Sequence, residues 1–200
     1  IQILGTKDFV DSNADIYGES SHGMAVLSCI GMNQPNVMVG TAPEASFWLL
    51  RTEDEYSEHL VEQDYWAAAV EFADSVGVDV VNTSLGYYSF DDKEKDYRLR
   101  DLDGQFALMS RQAARMADKG MVLVCSAGNS GSNAWKKITP PGDAENVLTV
   151  GAIAIPRPVL AHFDSTQTNE NVASSLNRSM SSHADNPVDN GAIEYGLNGS

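Results

Sequence analysis

The chain has 200 residues, 42% hydrophobic and 20% charged, as expected for one soluble α/β domain with a buried core. Its formal net charge of −15, with only 13 Lys and Arg residues, argues against nucleic acid and against an anionic membrane surface as partners. Both would need clustered basic side chains. No run approaches the ~20 apolar residues of a membrane-spanning helix.

Apolar spacing predicts strands and helices that alternate over the first three quarters of the chain. In chain order these are a strand within 1–11, a helix over 23–32, a strand over 45–52, a helix over 58–76, a strand over 79–85, a helix over 104–119, and strands over 121–125 and 146–154. This alternation predicts a three-layer α/β/α fold with a mainly parallel sheet. A site in such a fold lies beyond the carboxyl ends of the strands.

The two ends of the chain have a different character. Ile1 already belongs to an interior-type strand and no signal peptide precedes it, so we expect the sequence to begin inside a larger protein. Residues 155–190 are polar and without period, and we interpret them as an atypical segment of the same domain. Residues 191–200 are predicted to form a short strand and a Gly turn.

The two cysteines, Cys29 and Cys125, both have apolar neighbours. This setting favours two buried thiols over a disulfide between them.

Three features suggest chemistry. The strand over 121–125 runs into small residues that present the side-chain amide of Asn129, a way to hold a donor for an oxyanion. His22 comes just before a predicted helix, where it could serve as a general base. The strand ending at 84–86 has a small-residue edge that could pair with an extended peptide.

Five segments, in the same order, resemble motifs of the subtilisin-like serine proteases, the subtilase family. Residues 21–31 look like its His-Gly-Thr-x-Val-Ala-Gly helix, and residues 124–131 match its Ala-Ala-Gly-Asn motif. Residues 40–45, 81–86 and 141–152 are similar to its Gly-Val-Ala-Pro, Ile-Asn-Met-Ser-Leu-Gly and Val-Gly-Ala segments. The matches cover about residues 20–154, so 1–154 is interpreted as a partial catalytic domain.

The resemblance implies a serine endopeptidase that hydrolyses polypeptides. His22 would be the general base and Asn129 the oxyanion donor. Ser84, Leu85 and Gly86 would line the groove that binds substrate backbone, and Ala127 and Gly128 would form the opposite wall of the specificity pocket. The family's usual fate implies an extracellular or cell-envelope protein, and we expect a monomer.

Two parts of the catalytic triad depart from the family pattern. No Asp-Thr/Ser-Gly motif precedes His22, and Asp8, Asp11 and Asp15 are flanked by loop residues, so we expect the catalytic Asp before residue 1. The nucleophile region is predicted at 198–200. Either Ser200 is the nucleophile or, as we favour, the nucleophile is the next residue.

Two further alternatives stay open. Some subtilases bind calcium, so the charged stretch 91–96 could hold a structural Ca²⁺, although a solvated loop is favoured; no cofactor is required. The chain could also be a non-catalytic, peptide-binding relative that keeps the groove and lacks the triad.

Overall fold

The computed structural model describes residues 1–12, 15–18, 20–132 and 136–152. The predicted polar segment 155–190 and the predicted nucleophile region 191–200 lie outside these ranges. The elements are β1 (Gln2–Asp8), α1 (Ser21–Gly31), β2 (Asn33–Gln34), β3 (Met38–Val39), β4 (Ser46–Arg51), α2 (Glu62–Ser75), β5 (Val80–Thr83), α3 (Leu108–Asp118), β6 (Val122–Ser126) and β7 (Leu148–Val150). Two 3₁₀ turns, Lys93–Lys95 and Leu99–Asp101, lie in the charged loop.

The sheets are mainly parallel, as predicted. β1 pairs with β4 in parallel, and β6 lies between β5 and β7 in a second parallel sheet. Within the described ranges no ladder of hydrogen bonds joins β4 to β5. β2 and β3 form a small antiparallel hairpin, for which the sequence analysis gave no element.

α1 and α2 lie on opposite faces of the β1–β4 pair. A Cβ added to Gly31, at the end of α1, would lie 3.0 Å from the ring of Phe47. The next residue, Trp48, packs edge-on against Phe72 of α2 with ring centroids 5.3 Å apart. Because successive strand residues point to opposite faces, this part of the molecule has the predicted three layers.

The hydrophobic core lies between the second sheet and the helices α2 and α3. Its buried members include Trp66, Val70, Met109, Leu123 and Cys125. The opposite face of this sheet remains exposed in the described part of the chain. Its apolar side chains and their exposed fractions are Val80 56%, Val122 49%, Leu148 41% and Val150 43%.

Two helix starts differ from the sequence predictions. α3 begins at Leu108 because the Asp103 carboxylate accepts the N–H groups of Gln105 and Phe106, a local turn that competes with helix. α2 likewise begins at Glu62 and not at 58. No helix of the described residues has the length and apolarity needed to cross a bilayer.

The cysteine prediction was half wrong. Both thiols are free, and Cys125 is buried as predicted, but Cys29 is exposed. In an α-helix, residues that are two apart in sequence point ~200° apart around the axis. Because Gly31 packs against Phe47 of the sheet, Cys29 faces away from it.

Candidate functional site

The first turn of α1 presents His22. Ser20 caps this helix, and its hydroxyl accepts the His22 backbone N–H at 3.3 Å. The exposed ring lies with Nε2 3.0 Å from the carbonyl oxygen of Ser84. A carbonyl only accepts, so in this arrangement Nε2 carries the hydrogen and donates it.

The segment after β5 contains the predicted groove residues. The Ser84 hydroxyl accepts a hydrogen bond from the Asn82 amide at 3.0 Å, and the half-buried Leu85 packs against the core. A Cβ at Gly86 would lie only 2.1 Å from Thr139 Oγ1, so this position requires glycine for close approach.

The turn after β6 carries Asn129 at the surface. Ala127 N–H donates to the Val150 carbonyl at 2.9 Å, and Gly128 N–H donates to the Ser126 hydroxyl at 3.0 Å. Gly128 has φ +86°, a conformation that glycine adopts without strain. These bonds fix the turn and leave the Asn129 side chain exposed.

A cavity of about 420 Å³ lies at the carboxyl ends of β5, β6 and β7. Ser84, Gly128 and Asn129 line it, together with Asn82, Val124, Cys125, Ser126, Val150, Gly151 and Ala152. His22 is not among the lining residues, but its ring bonds Ser84 directly. His22 therefore bonds Ser84, which lines the same cavity as Asn129. Leu85, Gly86 and Ala127 do not line the cavity, but each is next in sequence, or next but one, to a residue that does.

Sequence reasoning missed Thr139. This residue is 3% exposed, and its hydroxyl has no hydrogen-bond partner among the described residues. Both Gly86 and Gly128 approach it, the latter with a Cβ position 3.0 Å from Oγ1. The sequence gave only an indirect signal of Thr139. Gly86 and Gly128 stand one in each predicted wall of the groove, and a glycine at such a position often allows another group to approach closely.

We expect Gly86→Ala to lower the free energy of unfolding by about 1–3 kcal/mol, because the added methyl overlaps the Thr139 hydroxyl. Denaturant unfolding of the variant measures this. A double variant that also carries Thr139→Ala lacks the Thr139 hydroxyl with which the new methyl overlaps. It should recover part of the lost free energy of unfolding. Equal loss in the single and double variants would contradict the expected clash.

Three glutamates, Glu53, Glu58 and Glu62, form a cluster beside the groove; we refer to them as the glutamate cluster. Glu53 Oε1 accepts hydrogen bonds from the hydroxyls of Tyr87 and Thr52. Burial raises the pKa of Glu53, against the lowering effects of the Tyr87 and Thr52 bonds and of the His22 charge. The cluster is therefore within electrostatic reach of the candidate base.

Glu62 is the most buried member, with 1% of its surface exposed. Its Oε1 accepts the Asp54 N–H at 3.2 Å, whereas its buried Oε2 has no partner among the described residues. Desolvation by this burial, reinforced by the charges of Glu53, Glu58 and Asp54, raises the pKa of Glu62 to about 7. Burial and the charges of Glu53 and Asp91 also raise the pKa of Glu58.

We expect Glu62→Gln to stabilise the protein at pH 8 by roughly 1–3 kcal/mol and to have little effect near pH 4.5. A carboxyl whose pKa is raised on folding contributes most stability below its unfolded pKa and loses it as pH rises to about 7. The amide stays neutral and can still accept the Asp54 N–H. Denaturant unfolding between pH 4.5 and 8 measures the difference, with the exposed Glu44→Gln as the matched control. Parallel pH profiles for wild type and Glu62→Gln would contradict this expectation.

The acidic stretch 91–96 uses its carboxylates locally. Asp92 caps the first 3₁₀ turn through Glu94 N–H, and Asp96 accepts the N–H of Phe90 at 2.7 Å. Asp91 accepts the Glu58 N–H at 3.1 Å. Among the described residues no group of three or more His, Cys, Asp or Glu is placed to hold a metal ion.

Asp8 differs from its predicted loop setting, because it ends strand β1. Its carboxylate contacts Arg51 at 2.8 Å and accepts the N–H groups of Val10 and Asp11. Burial raises the pKa of Asp8, but the bonds from Asp11, Arg51 and Val10 together bring it below its usual value. Arg51 is the last residue of β4, so this ion pair links the ends of the two paired strands. A structural role therefore explains the Asp8 carboxylate.

Comparisons with known proteins identify the family of this chain. The model Peptidase_S8, described as the subtilase family, matches residues 4–193. The thermophilic serine proteinase of Bacillus sp. (strain AK1) is 27% identical over 154 residues, which are 76% of this chain and 33% of that protein. The minor extracellular protease Vpr of Bacillus subtilis (strain 168) is 29% identical over 158 residues, 74% of this chain and 17% of that protein.

The fold also has a solved counterpart. The crystal structure of MycP1 with its N-terminal propeptide removed aligns with a TM-score of 0.52 and 20% identity, over 76% of this chain and 57% of that one. At this identity the likeness concerns the fold alone. The chain spans a third or less of the length of the two curated relatives.

Proposed function

Because the chain belongs to the subtilase family, we propose that it is part of the catalytic domain of a serine endopeptidase. In this proposal His22 is the general base and Asn129 donates its side-chain amide to the tetrahedral oxyanion. One observation carries the assignment: the ring of His22 bonds the carbonyl of Ser84, and Ser84 and Asn129 line one cavity.

The substrate would be a polypeptide in extended conformation. Its backbone would pair with residues 84–86 after β5, and Ala127 and Gly128 after β6 would form the opposite wall. These segments flank a cavity of about 420 Å³, which is large enough for a side chain of the substrate.

The chemistry requires His22 Nε2 to accept a proton from a serine hydroxyl as it attacks the scissile carbonyl, and later to give it to the leaving amine. In the structure Nε2 donates to Ser84 instead. A carboxylate that accepts Nδ1–H would hold the ring in the tautomer with a free Nε2. In the described residues no carboxylate is hydrogen-bonded to His22, and a further segment would have to supply one.

The break between the two sheets offers a place for that carboxylate. β4 and β5 belong to separate sheets, yet their carboxyl ends are tied together by the bond from Tyr87 to Glu53. A parallel strand entering this break would end near His22, and we propose that it carries the catalytic Asp and precedes residue 1. The nucleophile would be Ser200 or the residue after it, outside the described ranges.

The exposed sheet face supports a domain that includes segments outside the described ranges. Parallel sheets are normally covered on both faces, and exposed Val80, Val122, Leu148 and Val150 form a contiguous apolar surface opposite α2 and α3. We propose that further segments of the protein cover it. Alone, residues 1–200 would then have little or no activity.

The non-catalytic peptide-binding relative remains the second candidate. The lack of a carboxylate bonded to the His22 ring among the described residues favours it, because an imidazole without such a partner is a poorly oriented base. This relative would keep the groove at 84–86 and lack a serine or a carboxylate in the triad.

A serine-directed fluorophosphonate probe distinguishes the two candidates. The complete protein, including the sequence on both sides of residues 1–200, is treated with the probe and with a mixed peptide library. The protease proposal expects stoichiometric labelling of one serine at or just after position 200 and cleavage of peptides. Absence of both, with intact folding, would support the binding protein.

The remaining properties follow from the family and are proposals too. We propose secretion to the extracellular space or cell envelope, which the name of the Vpr relative supports. The net charge of −15 supports a monomer that binds neither nucleic acid nor anionic membranes. Bound calcium elsewhere in the complete protein is compatible with this function but not required for it.

A further inference from the structure

We propose that the glutamate cluster is a subsite for a Lys or Arg side chain of the polypeptide substrate, close to the scissile bond. This inference rests on the proposed peptidase function and adds a substrate class to it. Three aspects of the structure support it: the position of the cluster, its surplus of negative charge, and an unpartnered carboxylate oxygen inside it.

The cluster borders the groove on the side of His22. Tyr87 directly follows groove residues 84–86 in the chain, and its hydroxyl bonds Glu53. His22 lies near enough for its charge to lower the pKa of Glu53. A substrate that places its scissile bond at His22 would therefore bring a neighbouring side chain to the cluster.

Arg51 and His59 help to lower the pKa of Asp54, but no described basic group is among those that act on Glu58 or Glu62. Each of Glu53 and Glu58 is close enough to raise the pKa of Glu62, and Asp54 acts in the same direction. Arg51, at the end of β4, directs Nη1 to Asp8 and Nε to the backbone carbonyl of Glu53. His59 Nδ1 lies 3.8 Å from Asp91 Oδ2.

Glu62 supplies the unpartnered carboxylate oxygen. Its Oε2 is buried and has no hydrogen-bond partner among the described residues, although the side chain is 1% exposed. An unpaired buried carboxylate oxygen is costly. A cation bound at the half-exposed Glu58 and Glu53 would lower this cost by its electrostatic attraction.

The geometry favours an organic cation over a metal ion. No group of three or more potential ligands within the described ranges is arranged to hold a metal. A Lys or Arg side chain carries its charge on a long apolar stem, so it can reach the carboxylates while its own backbone pairs with the groove. The planar guanidinium of Arg can also bind two carboxylates at once.

The test uses the complete protein and peptide pairs that differ only in one Arg or citrulline, placed in turn at each position around the cleaved bond. Citrulline keeps the shape of Arg and removes its charge. We expect kcat/KM to be ~10-fold or more higher for the Arg peptide at one position, an effect of about 1.4 kcal/mol. Salt at 0.5 M should reduce the ratio.

Glu58→Gln should reduce this Arg-to-citrulline ratio about threefold or more, whereas the exposed Glu44→Gln should leave it unchanged. Equal kcat/KM for Arg and citrulline peptides at every position would overturn the proposal. An unchanged ratio in Glu58→Gln would overturn it as well. If a Lys or Arg of the protein itself already occupied the cluster, we would expect these same two results, equal kcat/KM for both peptides and no effect of Glu58→Gln.

Peptide binding separates this proposal from the proposed function. Fluorescence anisotropy with His22→Ala, which cannot turn substrate over, measures affinity for the same peptide pairs. Tighter binding of the Arg peptide, lost in the double variant with Glu58→Gln, supports the subsite even when no serine is labelled. Equal binding, together with cleavage by the wild type, overturns the subsite and leaves the peptidase function intact.

Discussion

Replacing His22 by Ala in the complete protein should lower kcat for peptide hydrolysis by about 10⁴- to 10⁶-fold and change KM little. A serine hydroxyl is a poor nucleophile at neutral pH, and the imidazole at the start of α1 is the described group placed to take its proton. Single-turnover kinetics with an activated ester and a peptide substrate measure the loss. The activated ester should be less affected, because its leaving group needs no proton.

A matched control lies on the same helix. Ser28→Ala removes a hydroxyl that bonds only the Ala25 carbonyl within α1, so activity should stay within about twofold of wild type. Circular dichroism of both variants checks that α1 still forms. A His22→Ala protein that keeps more than a tenth of wild-type kcat would remove His22 from the mechanism.

The sequence predicted the order of elements because apolar spacing and glycine stops are local signals. In α2, Trp66, Ala69, Val70 and Ala73 recur at threes and fours and are all buried, and Gly77 ends the helix region with φ +78°. The parallel pairing also followed, since short apolar strands separated by helices leave few other topologies. Local periodicity was sufficient for this part of the fold.

The sequence did not predict features that depend on competition or on distant contacts. Asp103 delays the start of α3 by side-chain bonds that no periodicity reveals. β4 and β5 lie in separate sheets. Strand pairing depends on the neighbours of each strand in the folded protein, so the residue pattern within β4 or β5 could not predict this break. Asp8 was described as flanked by loop residues, and its bond to Arg51 across the β1–β4 pair depends on a residue 43 positions away.

The candidate site shows the same division. Motif resemblance pointed to His22 and Asn129, whose roles stay predictions, but it could not show that the His22 ring bonds the Ser84 carbonyl 62 positions away. Glu53, Glu58 and Glu62 belong to no motif that the sequence offered. Their clustering arises only when the segment after β4 folds against Tyr87, so sequence spacing gave no sign of it.

Asn129→Ala should lower kcat by about 10²- to 10³-fold, or roughly 3–4 kcal/mol, with KM nearly unchanged. We borrow this magnitude from the known effect of removing the oxyanion-hole asparagine of a subtilisin. The amide contacts the substrate oxygen most strongly once it carries negative charge, so its loss affects the transition state more than the ground state. The turn itself should persist, because the bonds of Ala127 and Gly128 that shape it are made by backbone N–H groups.

The steady-state kinetics of Asn129→Ala are best compared with Asn33→Ala, which removes the same amide from an exposed strand of the β2–β3 hairpin. Asn33→Ala should leave both constants unchanged. A rise in KM at constant kcat in Asn129→Ala would mean that the side chain binds substrate without stabilising the oxyanion. Its place on the cavity wall would then define a binding contact, and the oxyanion donor would have to come from backbone amides or from residues beyond those described.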